Sequence, residues 1–165
     1  MIVIDDFVKD QKLLHYFSDI EVWNNLDAGE YSTYSCVHDK ISKPLSTFIW
    51  KLKDRFWKYK NWKHFEYWVN ITDARQTLDW HEDKNEELAE TTGKIVHPQA
   101  GAVWYGFPHV VSGGYLEIIN EEDIQMDIER IQPVYNRIVV FDVSKTHRVA
   151  PILSGTRYGL QVNLW

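Results

Sequence analysis

The chain has 165 residues and a formal net charge of −6, with 44% hydrophobic and 15% aromatic residues. That length favours one domain, 1–165, able to bury a core without covalent staples. The acidic balance argues against a whole-surface nucleic-acid binder, though not against a local basic groove, and a single cysteine, Cys36, excludes an intramolecular disulfide framework and fits a reducing compartment. "MIVIDDFVKD" lacks a basic region followed by a long apolar one, and no apolar run approaches the ~20 residues that span a bilayer, so a soluble cytoplasmic protein is expected.

In chain order, "MIVIDDF" reads as a short strand. Asp10 can cap a helix carrying Leu13, Leu14 and Phe17 at helical spacing. Residues 29–43 are polar and loop-rich. "SKPLSTFIWKLKDRFWKYK" places Pro44 in a first helical turn and sets Leu45, Phe48, Ile49, Leu52 and Phe56 on one helical face. From Phe65 the pattern changes to strands: "FEYWVNI", "TLDWH", "AGAVWYGF", "YLEII", "NRIVVFDV", "HRVA" and "TRYGLQVNLW". "PHVVSGG" and "PILSGT" read as turns, "DKNEELAETTG" as a short helix or ordered loop, and "NEEDIQMDIE" as a solvated acidic excursion. Short strands near ten residues apart, punctuated by Gly, Pro and Asn, suggest antiparallel β architecture. The fold class is α+β, with helices first and a jelly-roll-like core after them.

The chemistry is concentrated in "LDWHEDKNE". On a strand, side chains alternate faces, so His81 and Asp83 point the same way and Glu82 points opposite. His81 and Asp83 therefore form a chelating pair, and a third ligand is needed. His97, His109 and His147 follow the pair in sequence. His147 stands out because an apolar strand runs to Asp142, a polar loop follows, and His147 opens the next strand. His97 and His109 sit beside prolines and read as exposed or rim residues. Two histidines and one carboxylate make a facial triad that leaves metal positions open, which suits non-haem Fe(II) oxygen chemistry. Arg157, ten residues after His147, opens a last strand on which Arg157, Gly159, Gln161, Asn163 and Trp165 share one face. A polar face of this kind is solvent-facing, or else lines a barrel interior holding a polar ligand. A guanidinium there can grip an anionic cosubstrate through two parallel hydrogen bonds.

His81-x-Asp83, a distal His147 and Arg157 ten residues further on resemble the Fe(II)- and 2-oxoglutarate-dependent oxygenases. "SGGYLEI" is similar to that family's Gly-Gly-x-Leu segment, and "IVIDDFV" followed by a helix resembles the opening of the prolyl 4-hydroxylase-like branch. The resemblance covers nearly the whole chain. It implies a double-stranded β-helix (jelly-roll) core with N-terminal helices packed on one sheet. It implies Fe(II) on His81, Asp83 and His147, and 2-oxoglutarate held through its distal carboxylate by Arg157 with help from Tyr105. It also implies O2 as oxidant, ascorbate as a supporting reductant, and hydroxylation of a substrate C–H with release of succinate and CO2. The substrate is then a small molecule or a peptide, with a prolyl or other protein side chain as the nearest analogy. Asn163 stands where some relatives carry an aromatic, and is a candidate support for the metal ligands or substrate.

Trp68, Asn70 and Trp80 are candidate substrate-pocket residues. Trp68 and Asn70 share a strand face, whereas Trp80 could equally be core. Gly113 and Gly114 most simply serve a turn with unusual backbone angles. Two other readings compete. A cupin-like metal-binding barrel without oxygenase activity is disfavoured by the lack of a tight His-x-His. A nucleic-acid-directed oxygenase would use the lysines and aromatics interleaved in "WKLKDRFWKYKNWKHFEYW", but an amphipathic helix with a lysine-rich polar face explains the same pattern.

Overall fold

A computed structural model describes residues 1–27, 32–34, 41–74, 76–120 and 127–165. The chain opens with β1 (Ile2–Ile4), α1 (Gln11–Phe17), α2 (Ile20–Asp27), β2 (Ser32–Tyr34) and α3 (Lys43–Phe56). It continues through β3 (Phe65–Thr72), β4 (Leu78–His81), α4 (Glu86–Thr92), β5 (Ala100–Trp104), β6 (Val111–Gly113), β7 (Leu116–Asn120) and β8 (Asp127–Ile131). It closes with β9 (Ile138–Phe141), β10 (His147–Val149), β11 (Ile152–Gly155) and β12 (Arg157–Leu164). Most of the 29–43 loop and the acidic stretch at 121–126 lie outside the described residues, as do Cys36 and His38.

Helix starts follow local capping chemistry. Asp10 accepts from the backbone N–H groups of Lys12 and Leu13, and Ser42 accepts from that of Leu45, with Pro44 in the first turn of α3. Asn85 caps α4 in the same way, and Gly93 ends it in the left-handed conformation. The sequence reading missed α2, although Asp19 accepts from the N–H of Glu21 at its start. Its anchor is tertiary: Trp23 is fully buried, and its indole N–H donates to the Phe17 carbonyl at 2.8 Å.

The strands form two antiparallel sheets and a separate antiparallel pair. The major sheet has the order β1-β9-β5-β12-β3-β2, the minor sheet β4-β10-β7-β8, and β11 pairs with β6. This is the jelly-roll arrangement expected. Four strands differ from the sequence reading. β2 lies in the 29–43 stretch read as loop and pairs with β3. "PHVVSGG" and "PILSGT" contain β6 and β11, which pair with each other; each is too short and too polar to show an apolar alternation alone. Residues 127–131 are β8, an exposed edge strand ending on buried Ile131, rather than a surface turn.

Two cores result. The outer face of the major sheet offers Phe65, Tyr67, Val69, Ala102, Trp104, Ile138, Leu160, Val162 and Leu164 to Phe7, Leu13, Phe17, Trp23, Phe48, Ile49 and Leu52 of the helical layer. Rings meet edge-on here, as with Phe17 and Trp104 at 5.0 Å. Asn136, in the left-handed region at φ 59°, ties this layer together. Its amide accepts from Val8 N–H and the Trp104 indole and donates to the Val8 carbonyl. The second core lies between the sheets and contains Val103, Tyr105, Leu116, Ile118, Ile131, Val139, Phe141 and Val143.

Candidate functional site

At one end of the inter-sheet core the apolar packing gives way to a cavity of about 470 Å³ lined by both sheets and by the segment leading into α4. Its walls include His81, Asp83, His147, Arg157, Gln161 and Asn163, together with Trp68 and Asn70.

Strand pairing brings the two histidines together. His147, first residue of β10, stands directly opposite His81, last residue of β4, and their rings are 4.3 Å apart. β4 stops at His81, so Asp83 is not on the strand as the alternation supposed. Its place is set instead by its backbone: the Asp83 N–H donates to Val143, and its carbonyl accepts from the His97 ring at 2.8 Å. His97 is therefore a brace for Asp83 rather than a free rim residue. Asp83 Oδ1 lies 3.6 Å from Nε2 of both histidines, and the donor atoms of all three side chains fall within 4.8 Å of one another.

The far ring nitrogens define the tautomers. Nδ1 of His81 meets the Asp79 carbonyl at 2.7 Å and Nδ1 of His147 meets the Lys145 carbonyl at 2.8 Å. A carbonyl only accepts, so each Nδ1 carries the proton and each Nε2 turns a lone pair toward Asp83. Burial holds the His147 imidazole below the ordinary histidine range, against the pull of Asp83, which keeps it neutral. Two imidazoles and one carboxylate converging in this way fit a divalent ion that keeps open positions.

The last strand supplies the floor. Alternation along β12 sends Leu160, Val162 and Leu164 into the helical core and Arg157, Gln161 and Asn163 into the cavity, where all three are buried. Of the two readings open for this polar face, the interior one is realised. Arg157 is 1% exposed; its Nη2 donates to the Tyr105 hydroxyl at 3.2 Å, while Nε and Nη1 have no protein partner. A buried guanidinium with orphaned donors is costly and calls for an anion. Gly113 and Gly114, at φ 76° and 64°, let the chain turn close by; a Cβ on Gly114 would stand 3.3 Å from Arg157 Cδ.

Trp68 and Asn70 face the cavity from β3, while Phe65, Tyr67 and Val69 face the helices. Trp80 does not line the cavity. It lies under the Arg148 guanidinium at 4.4 Å, on the outer side of the minor sheet, where buried Glu117 accepts from both Arg148 and Arg130. Trp80 therefore belongs to that charged cluster and not to a substrate wall. His109 is not an exposed rim residue either: it is half-buried between Tyr105 and Tyr158, and burial lowers its pKa. Sequence reasoning missed Glu66, which faces the cavity beside Asn163 and accepts from the Trp165 indole at 3.0 Å. Burial raises its pKa, with the Trp165 hydrogen bond opposing and Asp83 adding to the rise. Its alternation with Phe65 and Tyr67 was the available sign.

The tryptophans of the lysine-rich segment are spent on packing, whereas its Tyr59 is not. Trp57 stacks on Phe65, Trp50 meets Trp62 at 5.5 Å, and Tyr59 stands out at 91% exposure. No helix among the described residues is long and apolar enough to cross a membrane.

The family model described as the 2OG-Fe(II) oxygenase superfamily matches residues 67–165. No curated protein matches the sequence. Among solved structures, a prolyl-4-hydroxylase from Pseudomonas putida superposes with a TM-score of 0.69 at 13% identity, covering 99% of this chain and 90% of that one. A Trichoplax adhaerens prolyl hydroxylase, in complex with a hypoxia inducible factor peptide fragment, gives 0.64 at 16% identity over 99% of this chain and 82% of that one. The viral collagen prolyl hydroxylase of Paramecium Bursaria Chlorella virus-1, in a 2OG complex, gives 0.64 at 12% identity over 99% and 93%. With most of its length under the family model, the chain belongs to the 2OG-Fe(II) oxygenase superfamily, as a dioxygenase dependent on Fe(II), 2-oxoglutarate and O2.

Proposed function

We propose that residues 1–165 act as one oxygenase domain in which His81, Asp83 and His147 hold Fe(II) and Arg157, with Tyr105, grips the distal carboxylate of 2-oxoglutarate. The observation that carries this reading is the orphaned guanidinium of Arg157, buried in the same cavity as the three converging ligands. Fe(II) when bound supplies the redox chemistry by which 2-oxoglutarate, O2 and a substrate C–H become succinate, CO2 and a hydroxylated product.

The chain's own residues orient and enclose. Arg157 Nε and Nη1 offer donors to a carboxylate, and the Tyr105 hydroxyl, itself fully buried, adds another. Val103, Leu116 and Phe141 wall the space between Arg157 and the metal ligands, excluding water from the reacting groups. The Nδ1 contacts of His81 and His147 keep their Nε2 lone pairs aimed at one point.

Trp68 and Asn70 then meet the substrate from β3. A peptidyl prolyl or another protein side chain is the substrate class we favour, since the similar structures include prolyl hydroxylases and one holds a peptide. The test is succinate release from 2-oxoglutarate by the full chain with Fe(II) and ascorbate, over a panel of prolyl-containing peptides and metabolites. Turnover that depends on His81, His147 and Arg157 is expected. Full turnover in His81→Ala sinks the metal assignment, and an unchanged 2-oxoglutarate requirement in Arg157→Ala sinks the cosubstrate assignment.

A further inference from the structure

We propose that Asn163, steadied by Gln161, is a positioning residue that makes Asp83 a one-oxygen metal ligand; this rests on the metal reading above. Asp83 Oδ1 faces both histidine Nε2 atoms at 3.6 Å. Oδ2 is taken by amide donors: Asn163 Nδ2 at 2.9 Å and, at the limit of hydrogen bonding, Gln161 Nε2 at 3.5 Å. A carboxylate whose second oxygen is held in this way presents only its first to an ion. That conserves a coordination position which two-oxygen chelation would consume.

The amide's orientation is itself determined. Asn163 is fully buried on β12, and its Oδ1 accepts from Gln161 Nε2 at 3.4 Å, so the NH₂ end must face Asp83. Room for the side chain comes from Gly101, its partner across β5. A Cβ there would stand 2.5 Å from Asn163 Oδ1 and collide with Val143, the residue whose carbonyl anchors the Asp83 N–H. One strand-pair position therefore licenses the clamp, and one strand supplies both amides.

The test uses the metal-free full chain, titrated anaerobically with Co(II). Tryptophan fluorescence reads affinity, Trp68 and Trp165 both being in the cavity wall, and visible absorption reads coordination number. Asn163→Leu is expected to weaken Co(II) binding about 10- to 100-fold and to change the absorption spectrum. Gln161→Leu should do so less. In an Asp83→Ala background, Asn163→Leu should add nothing. The proposal is overturned if Asn163→Leu binds Co(II) with wild-type affinity and spectrum, or if its loss is equally large when Asp83 is absent, as a merely structural role requires. If Asn163→Leu fails to melt cooperatively without metal, Asn163→Ser, which keeps a small polar group that cannot reach Oδ2, is held to the same criteria. Equal Co(II) binding by wild type and Asp83→Ala would instead refute the metal reading itself.

Discussion

The two faces of β12 set the molecule's two cores side by side. Leu160, Val162 and Leu164 enter an apolar helix–sheet layer in which Asn136 is paired with Val8 and Trp104, the Trp57 indole nitrogen being a buried exception without a partner. Arg157, Gln161 and Asn163, interleaved with them on the same strand, enter an inter-sheet space that is apolar at one end and polar at the other. The first region holds the fold. The second leaves Arg157 Nε and Nη1 unsatisfied and draws two histidines and a carboxylate together. A single strand thus separates stability from chemistry by the two-residue period of its side chains.

That division can be attacked from either face. The largest effect on stability is expected from Trp104→Ala, which empties a fully buried site packed on Phe17 and Phe48 and removes a donor to Asn136. It should cost about 3–5 kcal/mol in urea unfolding. A loss below about 1 kcal/mol would mean the helical layer is not the stabilising core.

On the other face, Arg157→Met should act in opposite senses on function and stability. The thermal shift produced by 2-oxoglutarate in the metal-loaded protein should disappear, with apparent affinity falling about 100-fold or more. The ligand-free protein should gain about 1 kcal/mol, because a buried charge whose Nε and Nη1 lack partners is replaced by an apolar side chain, which outweighs loss of the Tyr105 hydrogen bond. A melting temperature raised by about 2–4 °C would be the sign; a lowered one would show that Arg157 supports the fold.

Acidification reports on His109. Burial lowers its pKa in the folded protein, so the unfolded chain takes up a proton below about pH 6.5 that the folded chain resists. Its contribution is therefore present above that pH and is lost as pH falls toward the folded value. His109→Gln should flatten the fall in urea midpoint between about pH 6.5 and pH 5; an unchanged slope would place the linkage elsewhere. The smallest effect belongs to Glu66→Gln. Its carboxylate is disfavoured by burial, so the variant, which can still accept from Trp165, should melt slightly higher at pH 7.

Capping residues and apolar periodicity, both local, made much of this legible. Asp10, Pro44 and the Leu45–Leu52 stripe announce α1 and α3. α2 was illegible because its strongest anchor, the Trp23–Phe17 contact, exists only once the helices pack. β6 and β11 were missed for the same reason: each needs the other to be a strand. Trp80 looked like a pocket residue because it adjoins His81, but adjacent strand residues face opposite sides, and Arg148 and Glu117 claimed it.

The sequence by itself determined the candidate donors, since residue types and their order single out His81, Asp83, His147 and Arg157 without reference to distance, although strand alternation did not hold at Asp83. Only the tertiary structure decided how they meet. The His81–His147 cross-strand register, the Val143 anchor of Asp83, the Asn163 clamp and the burial of Arg157 all join residues far apart in sequence. Such contacts depend on strand pairing within a sheet and on two sheets closing over one another, neither of which a local pattern encodes.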